Sequence, residues 1–185
     1  KPPFDDVKVR QAVAYAIDRK FVLDNIWFGF GRPATGPISS NFKANGLYTA
    51  EVKNYNVPNG VDLANKLLDE AGKTRGADGV RFEIVHDVTP YGEEWRRFGE
   101  YTQQQLAKIG MKVTLRVEDV PGWLRRVYTN YDFQLTNNWI QTLADPSIGV
   151  HRLYHSGSIK PGTVFVNDSR WSTKETDELM DKANV

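Results

Sequence analysis

The chain has 185 residues, 40% hydrophobic and 25% charged, the make-up of an ordinary globular domain large enough to bury a core without staples. With 24 Lys and Arg against 23 Asp and Glu, the net charge of +1 gives no long-range attraction to nucleic acid or to an anionic membrane. Cysteine is absent, which excludes disulfides, thiolate metal ligands and cysteine nucleophiles, and no apolar run approaches the roughly 20 residues needed to span a bilayer. No signal-peptide pattern occurs. The sequence opens on Lys1-Pro2-Pro3 and stops inside a helical pattern at Ala183-Asn184-Val185, so both ends read as cut and an excised domain is expected.

In chain order, Asp5-Asp6 open a first helix, where two acids complement the macrodipole. Val9, Val13, Ala16, Ile17 and then Ile26-Trp27 supply its apolar faces, and it is expected to run to Phe28-Gly29. A Gly/Pro-rich loop follows to Ile38, and residues 39–60 carry no period and read as irregular surface. Asp62 is the expected N-cap of a short helix with Leu63, Ala64, Leu67, Leu68 and Ala71 on one face, closed by Gly72 at a left-handed C′ position. Alternation predicts a strand over 80–85. A longer helix then places Trp95, Phe98, Thr102, Leu106 and Ile109 on one side and stops at Gly110. A second strand runs over 111–118, Pro121 starts a helix carrying Trp123, Leu124, Val127 and Tyr128, and a third strand spans 132–139. Asp145-Pro146 open a further short helix, and a last one begins near Ser172. Helix and strand alternate through the middle of the chain, which implies crossover connections and an α/β sheet covered by helices, read as one domain over 1–185.

Several segments together resemble one family. Pro3 to Arg19 contains Asp6, Val9-Arg10, Ala12 and Ala16-Ile17-Asp18-Arg19, a run similar to the opening helix of peptide-binding proteins of transporters. Gly31 to Pro37, Leu67-Leu68-Asp69-Glu70-Ala71-Gly72, Gln105-Leu106-Ala107-Lys108-Ile109-Gly110, and Tyr131-Asp132 followed by Trp139 and Asp145-Pro146 follow in the family's order and spacing. On these residues the chain resembles an extracytoplasmic solute-binding protein of the peptide/nickel (family 5) ABC-transporter family. The resemblance implies the periplasmic binding protein type II fold, a single lobe, here the C-terminal lobe or third domain of a larger two-lobed protein that closes on ligand like a hinge. It implies a small-molecule ligand, delivery to the transmembrane subunits of an ABC permease, a monomer, no cofactor, and a periplasmic or, in a Gram-positive source, membrane-anchored extracytoplasmic location.

The resemblance also singles out site residues. Trp139 ends the third expected strand, where α/β sheets bind ligands, and implies a ligand-facing ring; core packing is the alternative. Asn137, Asn138 and Gln141 surround it with amides, which suit a neutral hydroxyl- or amide-rich ligand. Peptide-binding members carry an Asp three residues after this Trp to hold the ligand's ammonium; here Thr142 stands in its place. A hydroxyl cannot offset the burial of a charge, so an oligosaccharide, a glycoside or a blocked, opine-like compound is expected, with a free peptide the alternative. Trp123 matches the family's aromatic between the second and third strands and is the remaining ligand-contact candidate, or a core packer. Asp145 reads as a helix N-cap. His151 and His155 have metal-capable spacing, but no acid accompanies them in the motif, and no metal site is expected. Ser39-Ser40 and Ser156-Gly157-Ser158 lack the context of a nucleophile, so an enzyme, such as a hydrolase on an α/β scaffold, is the rival reading, as is a ligand sensor outside transport.

Overall fold

The computed structural model describes residues 1–142 and 144–183. The helical ending read for Asn184-Val185 lies outside the described residues. These residues group into two compact units, one of Lys1–Pro33, Lys53–Glu118 and Phe133–Asn137, the other of Ala34–Val52, Asp119–Asp132 and the chain from Asn138 onward.

The first unit is helix on sheet. Helix α1 (Val7–Ala16) is capped by Asp6, whose Oδ1 accepts the Lys8 N–H at 2.8 Å. The single helix expected over 5–28 is in fact two. Ile17 is extended and Asp18 accepts from the N–H groups of Lys20 and Phe21, so it caps α2 (Arg19–Asn25) and restarts the chain. Helix α3 (Gly60–Glu70) begins two residues before Asp62, which lies in its first turn and is not the cap. At Gly60 a Cβ would stand 2.2 Å from the Tyr15 carbonyl oxygen; only glycine lets α3 approach α1 this closely. Gly72 sits at φ +69°, the left-handed exit the sequence predicts.

Strand β1 (Phe82–Asp87), helix α4 (Glu93–Lys108), strand β2 (Met111–Arg116) and the two-residue strand β3 (Leu135–Thr136) complete the unit. The sheet is parallel with order β2-β1-β3; Phe82 pairs with Met111 and His86 with Leu135. Strand β1 starts later than expected because a turn consumes residues 76–80, the Gly76 N–H donating to the Val80 carbonyl at 2.7 Å. Strand β3 is far shorter than the expected 132–139. Before it, the Gln134 side chain rather than backbone meets the Val85 N–H, at 2.9 Å. Val9, Ala12 and Ala16 of α1, Ala64 and Leu68 of α3, Ile84, Leu106, Ile109, Met111 and Val113 form one buried core. Ten such side chains stabilise the unit by about 1.5–3 kcal/mol for each large aliphatic one before chain entropy is subtracted. Arg81, its side chain 2% exposed, ties the helix ends together through the Ile109 carbonyl at 3.1 Å and Asp69 at 2.6 Å.

The second unit is mostly helical. Asp119 caps α5 (Val120–Leu124), with its side chain on the Gly122 N–H, and the chain continues into a wider π-type turn over Arg125–Thr129. Helix α6 (Pro146–Tyr154) is capped by Asp145, as expected, and α7 (Lys174–Ala183) packs beside it. A 3-10 turn at Ser40–Asn45 gives structure to a stretch that reads as irregular. Asn167, fully buried, organises the segment before α7 by donating to the Trp171 carbonyl at 2.8 Å and accepting its N–H at 3.0 Å. No helix among the described residues is long and apolar enough to cross a membrane.

Candidate functional site

The residues singled out in the sequence fall in both units. In the first unit, Asn137 follows β3. Its carbonyl accepts from the Thr89 hydroxyl and its Oδ1 accepts the Thr89 N–H at 3.4 Å, while Nδ2 is shielded from water without a hydrogen-bond partner. His86, at the C-terminal end of β1, is 1% exposed, and neither ring nitrogen has a well-formed hydrogen bond. Burial pushes its pKa down to about 4, an effect the neighbouring Asn137 amide opposes. Beside it, buried Asp87 takes a two-pronged ion pair from Arg116 at 2.5 and 2.9 Å. The carboxyl-end edge of this parallel sheet is therefore polar but dry, the usual place of ligand contacts in α/β sheets.

In the second unit, Trp139 is 45% exposed, its ring tilted 47° to Phe165 at 6.2 Å. Asn138 positions it: Oδ1 accepts the Trp139 N–H at 2.9 Å, and Nδ2 donates to the Tyr128 hydroxyl. Gln141 keeps its side chain exposed, while its carbonyl accepts from Arg152 at 2.7 Å. Thr142 is half-buried against α6; a Cβ on Gly149 would stand 2.5 Å from its Cα, so the glycine is what lets this loop lie on the helix. The side chains of 138–142 are uncharged, and the one nearby acid, Asp145, is engaged with the Ser147 N–H at 2.9 Å and hydroxyl at 2.6 Å, which holds its carboxyl below the usual range. Trp123 differs from the others. It is 1% exposed and packs edge-on to Tyr128 at 5.9 Å. Trp139 is therefore exposed beside a half-buried Asn138, Gln141 and Thr142 lie against α6, and Trp123 lies in the interior.

Sequence reasoning missed several buried or clustered ionisable groups. His86 carries no motif, and only its place at a strand end within an otherwise apolar alternation marks it. Asp168 is enclosed enough that burial pushes its carboxyl up, with no local pattern to announce it. The His151/His155 pair has acidic company after all. Asp177 and Asp181 come from α7, too distant in sequence for a motif to link them.

Helices packed on a parallel sheet give a mixed α/β fold of the kind found in solute-binding proteins, and comparison with known proteins agrees. Residues 1–161 match the family described as bacterial extracellular solute-binding proteins, family 5 Middle, and the chain belongs to that family. It is 26% identical over 185 residues to the dipeptide-binding protein of Escherichia coli (strain K12), covering 100% of this chain and 33% of that protein. It is 28% identical over 183 residues to heme-binding protein A of Haemophilus influenzae, covering 99% and 32%. The structure of HbpA2 from Haemophilus parasuis superposes with a TM-score of 0.84 at 28% identity, covering 99% of this chain and 34% of that one. The chain thus spans about a third of the length of the curated relatives it matches. The periplasmic binding protein fold expected from the sequence is the fold observed.

Proposed function

We propose that this chain is the C-terminal ligand-binding lobe of the substrate-binding component of an ABC importer. It takes a small solute outside the cytoplasm in a cleft that a second lobe closes, and hands it to the permease. The observation that carries the reading is Trp139, 45% exposed in a chain of a solute-binding family and held in place by Asn138. An apolar ring of this size kept in water is a cost that burial against a ligand recovers. Asn138 and Gln141 add amides to the same segment, and Thr142 adds a hydroxyl. Binding, not chemistry, is the role, in keeping with a chain of a solute-binding family.

The ligand is neutral or blocked at its amino end, a glycoside, an oligosaccharide or an opine-like compound. Thr142 offers no carboxylate for an ammonium, Asp145 is engaged as a helix cap, and the segment between them and Asn138 has no charged side chain. A free peptide is the second reading, favoured by the 26% identity to a dipeptide-binding protein. A thermal-shift screen of the full-length protein separates the two. Stabilisation by oligosaccharides or N-acetylated compounds supports a neutral ligand. Strong stabilisation by unmodified di- and tripeptides that vanishes on N-acetylation overturns it in favour of the peptide.

A further inference from the structure

We propose that His151, His155 and Asp181 form a binding site for a divalent transition-metal ion. His151 lies in the last turn of α6 and His155 is its C-cap, and their rings stack at 4.3 Å between centroids, 10° from parallel. Both Nε2 atoms face one carboxylate oxygen of α7, Asp181 Oδ1, at 3.8 Å from His151 and 3.4 Å from His155, and the three donor atoms lie within 4.8 Å of one another. Ligands to such an ion sit about 2.0–2.2 Å from it, which brings neighbouring ligands to roughly 3–3.6 Å. The contraction required is small, and Asp181, 67% exposed, has the freedom to make it.

A second observation points the same way. The Nε2 of His155 is shielded from water and has no well-formed hydrogen bond among the described residues. A polar atom in that state is destabilising unless something occupies it. Asp177 adds negative charge, its Oδ1 3.9 Å from the His155 Nε2, but its oxygens are engaged by the Ser156 N–H at 2.9 Å and hydroxyl at 2.5 Å; it neutralises the ion without needing to ligate it. The ring of His155 is fixed at its other nitrogen, where Nδ1 accepts the Gly157 N–H at 3.0 Å. In the ion-free protein the proton of neutral His155 is therefore on Nε2. When the ion takes that position the proton passes to Nδ1 and the Gly157 contact opens. Two imidazoles and a carboxylate, with no thiolate and few oxygens, suit Zn²⁺, Ni²⁺, Co²⁺ or Cu²⁺ and not Mg²⁺ or Ca²⁺. The ion would bolt α7 to the end of α6.

The test is calorimetry and thermal unfolding of the chelator-treated protein with Zn²⁺ and Ni²⁺, with Mg²⁺ as control, in wild type, Asp181→Asn and His151→Ala. Asp181 is exposed, so its substitution leaves the fold intact. The expected result is one Zn²⁺ or Ni²⁺ per chain, a raised Tm, and affinity lower by at least about 10-fold in each variant. Binding of equal strength in wild type and both variants, or neither heat nor a Tm change at millimolar Zn²⁺ and Ni²⁺, would overturn it.

Discussion

Replacing His86 by leucine tests whether the polar end of the sheet is as dry as its geometry implies. The imidazole is 1% exposed, neither nitrogen has a well-formed hydrogen bond, and burial lowers its pKa from 6.5 to about 4. Between those values the unfolded chain holds a proton that the folded chain refuses. Stability from this group is therefore complete above pH 6.5 and is lost as pH falls towards 4. At about 1.4 kcal/mol for each tenfold in proton affinity, the window is worth about 3 kcal/mol. His86→Leu removes the titrating group and leaves a side chain of similar bulk facing Leu115 and Leu135 across the sheet. Its stability at pH 7.5 should match or exceed wild type, since no orphaned N–H remains. Urea unfolding at a series of pH values between 7.5 and 4 reads the difference. Carboxylates elsewhere titrate in both proteins and cancel. The variant's advantage should grow by about 3 kcal/mol across the window. Parallel curves for the two proteins would refute the dry, unpaired histidine.

Three further outcomes follow from packing. Gly60→Ala places a methyl 2.2 Å from the Tyr15 carbonyl and should destabilise by about 1–3 kcal/mol, read as a lower urea midpoint at unchanged slope. Leu68→Ala, in the α1–α3 core and fully buried, should cost about 2–5 kcal/mol by the same measurement. Trp139→Ala in the full-length protein should weaken ligand binding by about 1–2 kcal/mol in calorimetry while lowering stability by less than about 1 kcal/mol, since nearly half the ring is exposed. A collapse in melting temperature with unchanged affinity assigns Trp139 to the core instead.

What the sequence made legible was whatever local chemistry decides. Asp145 before Pro146 caps α6 and glycines 72 and 110 end α3 and α4, because a side-chain acceptor at one end and a left-handed residue at the other act over a single turn. The alternating strands were recognisable as well, with β1 displaced by the turn at 76–80. Long-range contacts were not legible. Asp62 is a good cap in isolation, yet α3 starts at Gly60, where the Tyr15 carbonyl leaves no room for a side chain. The reading of 132–139 as one strand fails because only Leu135 and Thr136 find partners on β1. Trp139 and its amides form a contiguous segment, so the family resemblance names them together. Trp123 looked the same in sequence, but its helix turns it inward. The acids beside His151 and His155 belong to another helix, and no spacing rule spans that distance.

The most direct test of the account is hydrogen exchange on the full-length protein, with and without a solute that stabilises it. If this segment holds the ligand, backbone amides over Asn137 to Thr142 should slow on binding, and the slowing should be lost in Trp139→Ala at concentrations that saturate wild type. Protection that appears with the ligand but leaves 137–142 unchanged would contradict the assignment of this chain's ligand-binding surface.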